Sequence, residues 1–234
     1  MIRMMAYDLD GTLIDTAPDL GASMNDVLRM IGFRPLPPSV VPRLVGAGLS
    51  TFVERALTLS TGDTALTPAV RAGAEAVFRQ LYSHHLFERS TVYPGVRRSL
   101  SALSAAGTLL CCVTNKETSF ALRLLDAADL SRYFQHTLCG DLAENRKPSP
   151  NMLLAACRRA QVAPDELAYV GDSRTDIIAA RAAGCRAICV AYGYDNPHAL
   201  EALHPDELID NLAELSAFIH PPPRGLQTRH SVSE

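Results

Sequence analysis

Two acidic side chains near the start of the 234-residue chain, Asp8 and Asp10, stand two residues apart directly after an apolar run. A carboxylate at the end of a strand can attack phosphorus, which divides hydrolysis into the formation and the breakdown of an acyl phosphate. A second carboxylate can protonate the leaving alkoxide and later take a proton from water, provided that burial or a like charge raises its pKa. The pair therefore predicts phosphoryl transfer, with Asp8 as the nucleophile and Asp10 as the acid and base.

Further residues could bring two reacting anions together. A carboxylate and a phosphate dianion repel each other, so the reaction needs a divalent cation and fixed positive groups. Asp172 and Asp176 offer the oxygen ligands that Mg²⁺ prefers. Together with the Asp8 carboxylate and the Asp10 backbone carbonyl, they predict an octahedral Mg²⁺ site completed by water and a phosphate oxygen. Lys147 supplies a compact positive charge for the nucleophile and the transferring phosphoryl group.

Thr114 and Asn115 follow another apolar run and complete the set of candidate residues. The Thr114 hydroxyl and the neighbouring backbone N–H groups can donate hydrogen bonds to phosphoryl oxygens, and we assign Asn115 to substrate binding with them. Taken singly, each fragment has a plain explanation as a turn, a loop or a helix cap. Because all of them occur in a workable order in one chain, a shared site is the better interpretation.

Short apolar runs supply the elements that must position these side chains. Runs at 4–9, 109–113, 167–170 and 187–191 are typical of buried strands, and helical patterns follow them. This alternation predicts an α/β fold with a Rossmann-like parallel sheet. Ligands bind such sheets beyond the carboxyl ends of the strands, and the polar residues named above follow the predicted strands.

A long helical stretch interrupts the alternation after the first strand. Thr16 can cap a helix with Pro18 in its first turn, and apolar residues then recur at helical spacing to about residue 87. Pro-Pro-Pro and polar residues make up the end of the chain, where we expect disorder. The predicted domains are a core at 1–15 and 91–219, an inserted small α-helical cap at 16–90 and a disordered tail at 220–234.

The four chemical segments resemble the signature of the haloacid dehalogenase-like phosphatase superfamily, and the resemblance spans residues 4 to about 215. The segments are Asp8-Leu9-Asp10-Gly11-Thr12, Thr114-Asn115, Lys147-Pro148 and Gly171-Asp172-Ser173 with Asp176. The resemblance implies the nucleophile and the acid/base assigned above, with Thr114 and Lys147 as phosphate binders. It also implies that Asp172 is a metal ligand and that Asp176 is a ligand or lies just behind one.

The helical insert resembles the small cap that superfamily members carry after the first motif and close over the site. Its segment Val45-Gly46-Ala47-Gly48-Leu49 is similar to the cap of bacterial phosphoglycolate phosphatases. The segments Thr114-Asn115-Lys116 and Lys147-Pro148-Ser149-Pro150 are similar to the same branch. This resemblance implies Mg²⁺-dependent hydrolysis of 2-phosphoglycolate to glycolate and phosphate.

Two residues of the insert are candidates for substrate binding. Gly46 belongs to the loop just described, and the planar guanidinium of Arg43 could meet a substrate carboxylate. One segment, Glu144-Asn145-Arg146 before Lys147, departs from the pattern expected of close relatives. The departure leaves open only the geometry of that loop.

Composition excludes several classes of protein. The formal net charge of −3 gives no broad basic field for nucleic acid. Asp8 and Asp10 interrupt the apolar start too early for a signal peptide or a membrane span, so we expect a cytoplasmic protein. The six cysteines lack the close pairing of zinc or redox sites and are expected to be buried thiols. His84-His85 has no ligands at matching spacing, so no zinc site is expected.

Several functions fit these residues. The expected partner is a small phosphorylated metabolite, bound by a monomer or a homodimer. Phosphoglycolate is the first candidate substrate, and a sugar phosphate, a nucleotide or pyrophosphate are the alternatives. A sugar phosphomutase would use the same aspartyl-phosphate, and a non-catalytic binding protein could keep the fold. A dehalogenase is disfavoured, since that reaction has no alkoxide to protonate and no phosphate charge to neutralise.

Overall fold

Parallel strands form the centre of the computed structural model, which describes residues 1–62 and 66–215. The strands are β1 (Met4–Tyr7), β2 (Ile14–Asp15), β3 (Thr91–Val92), β4 (Leu109–Thr114), β5 (His136–Cys139), β6 (Leu167–Gly171), β7 (Arg186–Val190) and β8 (Glu207–Ile209). Six of them form one sheet in the order β5-β4-β1-β6-β7-β8, with parallel pairing throughout. The two short strands β2 and β3 pair antiparallel beside it.

Helices cover both faces of the sheet. They are α1 (Ala17–Met30), α2 (Leu49–Thr61), α3 (Pro68–His84), α4 (Val96–Ala105), α5 (Thr118–Ala127), α6 (Asn151–Ala160), α7 (Arg174–Ala183) and α8 (Pro197–Glu201). Alternate residues of a strand point to opposite faces. In β1, Met5 and Tyr7 accordingly join a core cluster with α4 and α5, whereas Met4 and Ala6 join a second cluster with α6 and α7. The predicted α/β fold is confirmed.

The sequence located the central strands but missed four others. β1, β4, β6 and β7 lie within one or two residues of the predicted bounds. β5 and β8 lie at the two edges of the sheet and contain partly exposed residues. Because an edge strand buries less of its surface, it needs no continuous apolar run, and periodicity alone does not reveal it. β2 and β3 have only two residues each.

The segment between β2 and β3 contains helices α1, α2 and α3 with an apolar cluster of their own. Aromatic rings fill its centre, where Phe78 and Tyr82 stack with ring centroids 5.7 Å apart. Phe120 of α5 reaches the same cluster and lies 5.2 Å from Tyr82. We propose that this helical unit is the cap domain, resting on the core through α5.

Helix α1 begins as predicted, but the predicted role of Thr16 is wrong. Pro18 lies in the first turn, and Thr16 occupies the capping position without a side-chain capping bond. Its hydroxyl instead donates a hydrogen bond of 2.6 Å to Asp10 Oδ1. The Thr16 hydroxyl thus bonds Asp10 and not, as the local pattern predicted, the backbone N–H groups at the start of α1.

Three further predictions concern the cysteines, membrane-spanning helices and the end of the chain. The six cysteines are free thiols, of which five are buried and Cys139 is partly exposed. None of the helices within the described ranges combines the length and the apolar character needed to cross a membrane. The tail predicted at 220–234 lies outside the described residues.

Candidate active site

The carboxyl ends of β1, β4 and β6 bring the candidate residues together. β1 lies between the other two strands, so that the residues following each strand meet at one edge. Asp8 follows β1 and remains tied to β6, because its backbone N–H donates to the Val170 carbonyl at 2.9 Å. Thr114 is the last residue of β4, and Asp172 follows the last residue of β6.

Asp8 is a buried carboxylate in contact with a buried lysine. Its Oδ2 lies 2.8 Å from Lys147 Nζ, and its Oδ1 accepts a hydrogen bond from the Leu9 N–H at 2.7 Å. Burial raises the pKa of Asp8 to about 6, against the opposing effect of the Lys147 charge and with the added repulsion of Asp176 and Asp10. The carboxylate is therefore oriented by two donors in a site where negative charge accumulates.

Lys147 joins two carboxylates below the surface. Its Nζ lies 2.7 Å from Asp176 Oδ1 as well as near Asp8, and it donates to the Tyr169 hydroxyl at 2.7 Å. Burial lowers the pKa of Lys147, but the charges of Asp176 and Asp8 outweigh burial and raise it. The ammonium group therefore stays charged beside the predicted nucleophile.

Asp176 is engaged by protein donors at both carboxylate oxygens. Oδ1 contacts Lys147, and Oδ2 accepts hydrogen bonds from the Ser173 hydroxyl at 2.6 Å and the Ser173 N–H at 3.0 Å. The Asp172 N–H also donates to Oδ2, at 3.2 Å. This arrangement favours the alternative in which Asp176 lies behind a metal ligand and orients it.

Asp8, Asp172 and Asp176 form a buried acidic cluster, with one oxygen of each within 4.8 Å of the others. Asp172 accepts hydrogen bonds from the Thr12 hydroxyl at 3.0 Å and the Tyr194 N–H at 2.8 Å. Burial, followed by the charges of Asp176 and Asp8, raises the pKa of Asp172 well above its usual range. Of these carboxylates Lys147 contacts only Asp8 and Asp176, so the three acidic groups outnumber the positive charge beside them, and a divalent cation would balance the difference.

Two glycines make room for the Asp172 side chain. A Cβ atom at Gly11 or at Gly193 would overlap the Asp172 carboxylate group. Gly11 also has a φ of +82°, a conformation that glycine adopts without steric cost. The Asp-Gly step of the first motif is therefore both a turn and part of the wall around the acidic cluster.

Asp10 has a partner that the sequence analysis did not assign, Lys116. The Lys116 Nζ lies 2.9 Å from Asp10 Oδ1 and 3.1 Å from Oδ2, and the lysine side chain is only 2% exposed. Burial lowers the pKa of Lys116, but the charge and hydrogen bonding of Asp10, together with the Tyr82 side chain, outweigh burial and raise the pKa. The signal was present in the sequence, since Lys116 directly follows Thr114-Asn115. Asp10 therefore faces a positive charge that the sequence analysis did not consider, in addition to the like charge of Asp8.

The Asn115 side chain is committed to the protein backbone. Its Nδ2 donates to the carbonyls of Gly46 at 2.9 Å and Lys147 at 3.0 Å, and its Oδ1 accepts from the Lys147 N–H at 2.7 Å. These bonds use both amide hydrogens. The geometry thus supports a positioning role for the Asn115 side chain, and its substrate contact stays a prediction.

The loop that departs from the family pattern lies beside the insert. Ala143–Asn145 forms a short 3-10 helix, and Arg146 Nε donates to the Gly140 carbonyl at 2.6 Å. The Arg146 guanidinium lies against Gly48, where an added Cβ would be 3.1 Å from it. The loop therefore contacts the insert next to the Gly46–Asn115 bond.

A narrow cavity is lined by the predicted nucleophile and the predicted acid/base. Its core wall consists of Asp8, Asp10, Thr114, Asn115 and Lys116. Its other wall comes from the insert and consists of Leu20, Val45, Gly46, Gly48, Leu49 and Phe52. Gly46, predicted to bind substrate, thus lines the same cavity as Asp8. Arg43 lines a different cavity with Arg174 and Asn196, so the structure does not bring it to Asp8.

Comparison with known proteins agrees with this architecture. A phosphoglycolate phosphatase of Nitrosospira multiformis is 39% identical over 93% of this chain and 96% of its own length. A phosphoglycolate phosphatase of Chromobacterium violaceum is 40% identical over 92% and 95% of the two chains. The crystal structure of a predicted phosphoglycolate phosphatase from Haemophilus somnus superposes with a TM-score of 0.89 at 30% identity, covering 94% of this chain and 98% of that one.

The sequence model of the haloacid dehalogenase-like hydrolase family matches residues 5–190. That range includes the strand ends that meet at the acidic cluster and the whole helical insert. Most of the chain is thus accounted for by one family, in sequence and in fold. The chain belongs to the haloacid dehalogenase-like hydrolase family.

Proposed function

We propose that this protein is a Mg²⁺-dependent phosphomonoesterase that hydrolyses 2-phosphoglycolate to glycolate and phosphate through an aspartyl-phosphate on Asp8. The observation that carries the proposal is the contact of 2.8 Å between Asp8 and Lys147, beside the cluster of Asp172 and Asp176. The names of the relatives from N. multiformis and C. violaceum, which align with nearly the whole chain, support the choice of substrate.

The first chemical step is an attack by the Asp8 carboxylate on phosphorus. A bond forms between a carboxylate oxygen and phosphorus, and the bond from phosphorus to the ester oxygen breaks. Asp10, which lines the same cavity, gives a proton to the leaving alkoxide. In the second step Asp10 takes a proton from water, the water oxygen bonds to phosphorus, and phosphate leaves Asp8.

The acidic cluster fits a divalent cation. Asp8 and Asp172, with the backbone carbonyl of Asp10, would hold Mg²⁺, and Asp176 would orient Asp172 through its backbone N–H. Bound Mg²⁺ supplies positive charge that reduces the repulsion between the nucleophile and the phosphate dianion. Lys147 adds a fixed charge beside Asp8, in a buried setting where its electrostatic effect is strong.

Thr114 would bind the transferring phosphoryl group. Its Oγ1 accepts a hydrogen bond from the Lys116 N–H at 3.2 Å, so that the hydroxyl proton can be donated elsewhere. Thr114 lines the cavity with Asp8. A hydroxyl donor at this place stabilises charge on a phosphoryl oxygen during transfer.

The insert gives the cavity its small size and its apolar wall. Leu20, Val45, Leu49 and Phe52 face the catalytic carboxylates across the cavity. Exclusion of water strengthens the electrostatic interactions of the reaction, and movement of the insert would admit water and release products. The residues of the insert leave little room beside the catalytic carboxylates, which suits a substrate of few atoms.

Phosphate release from a panel of phosphomonoesters tests the proposal. The purified protein is assayed with phosphoglycolate, sugar phosphates, nucleotides and pyrophosphate, in Mg²⁺ and in an excess of chelator. We expect the highest kcat/KM with phosphoglycolate and no release in chelator. A transfer of phosphate to a sugar instead of to water would identify a phosphomutase, and a folded protein inactive on every compound would identify a binding protein.

A further inference from the structure

Lys116 is the one cationic side chain among the described residues that line the cavity of Asp8 and Asp10. The acid/base chemistry assigned to Asp10 requires a carboxylate but does not by itself require a lysine at bonding distance from it. A buried ammonium group on the wall of a substrate cavity is costly unless an anion accompanies it. The question is which anion the lysine meets when a substrate is bound.

The distance from Lys116 to Asp10 indicates where the ammonium group lies relative to a bound substrate. Nζ lies 2.9 Å from Asp10 Oδ1, and Asp10 must reach the ester oxygen at a hydrogen-bond distance of about 2.8 Å in order to protonate it. The ammonium group is therefore only a few ångströms from the ester oxygen of a bound substrate. In phosphoglycolate the carboxylate carbon is separated from that oxygen by a single methylene group.

The surroundings of Lys116 would strengthen an ion pair with a substrate. Its Nζ lies 5.0 Å from the centre of the Tyr82 ring, which belongs to the apolar cluster of the insert. Leu20 and Phe52 of the same cluster line the cavity. Water is largely displaced there, and the attraction between opposite charges increases as the local dielectric constant falls.

A second feature of the cavity also favours an anion. Helix α2 begins at Leu49, and both Gly48 and Leu49 line the cavity. The amino end of a helix carries partial positive charge and free N–H groups. Arg43, the cation first considered for a substrate carboxylate, lies in the other cavity.

We propose that Lys116 recognises the carboxylate of the substrate and so makes the site selective for small phosphomonoesters with a carboxylate beside the ester carbon. This inference rests on the proposed function. Asp10 holds the ammonium group in the structure, and the substrate carboxylate becomes its second partner on binding. An ammonium group has three donors, which is sufficient for two carboxylates.

The experiment compares phosphoglycolate with ethyl phosphate, which has a methyl group in place of the carboxylate. Both compounds are assayed with the unaltered enzyme, with Lys116→Met and with Lys116→Arg. The quantity compared is the ratio of the two kcat/KM values in each sample. This ratio does not depend on how much of a variant is folded, because both substrates are measured on the same protein.

We expect the unaltered enzyme to prefer phosphoglycolate and Lys116→Met to lose about 30-fold or more of that preference, as truncation of a buried charge pair does. Lys116→Arg keeps the charge and is expected to keep part of the preference. If Lys116→Met slows both substrates equally, the lysine acts only on Asp10 and the inference is wrong. If the unaltered enzyme itself shows no preference, the assignment of phosphoglycolate fails, and the role of Lys116 fails with it.

Discussion

The side-chain amide of Asn115 donates a hydrogen bond of 2.9 Å to the carbonyl oxygen of Gly46, and this bond joins the end of β4 to the loop before α2. The same side chain holds the backbone of Lys147 through its two other bonds. One buried residue thus connects the cap-like insert to the lysine beside the predicted nucleophile. The Asn115 side chain holds the Gly46 loop against the core and fixes the backbone of Lys147.

Replacing Asn115 with alanine should weaken both connections. We expect a loss of about 2–3 kcal/mol in the free energy of unfolding, because buried backbone groups lose their partners, and an increase in KM for phosphoglycolate. Denaturant unfolding and steady-state kinetics measure the two effects. Asn25→Ala is the matched control, since Asn25 bonds the Leu36 backbone at 2.7 and 3.1 Å within the insert. A lower stability with an unchanged KM in both variants would argue against a link to the site.

Asp8→Asn should abolish turnover and leave the fold intact. The amide is nearly isosteric with the carboxylate but is a feeble nucleophile, so we expect kcat to fall by at least about 10³-fold. Circular dichroism and thermal unfolding verify the fold, and mass spectrometry of acid-quenched protein looks for a phosphoryl adduct on Asp8 in the unaltered enzyme. Activity retained by a contamination-free variant would rule out Asp8 as the nucleophile.

Asp10→Asn should affect substrates according to their leaving groups. An alkyl alkoxide needs a proton from an acid, whereas an aryl oxide leaves without one. We therefore expect the rate of phosphoenzyme formation to fall about 100-fold more for phosphoglycolate than for an aryl phosphate. Single-turnover kinetics with the two substrates measure the difference. Equal losses would show that Asp10 does not act as the acid.

Binding of Mg²⁺ should stabilise the protein through Asp172. A ligand present at 100 times its Kd adds about 2.7 kcal/mol to the stability of the form that binds it. We expect the melting temperature of the unaltered protein to rise with Mg²⁺ and that of Asp172→Asn to stay constant. Asp195→Asn is the control, because Asp195 bonds the Arg174 N–H at 2.9 Å outside the acidic cluster. An equal rise in Asp172→Asn would place the cation elsewhere.

Local patterns in the sequence determined the central strands, the helical insert and the order of the chemical segments. A buried parallel strand is a continuous apolar run, and the polar residue that follows it is visible without coordinates, as with Asp8 after β1 and Asp172 after β6. The edge strands β5 and β8 were missed because partial exposure breaks such a run. Features that depend only on residues close together in the sequence could therefore be predicted.

The partners of each side chain were decided only by the tertiary structure. Thr16 bonds Asp10 instead of its own helix, Asn115 bonds the backbone of Gly46 and Lys147, and Arg43 lines another cavity. Lys116 meets Asp10 across 106 positions of the chain. Contacts of this kind depend on how the insert and the strand ends are arranged in space, and no local periodicity encodes the distance between two side chains.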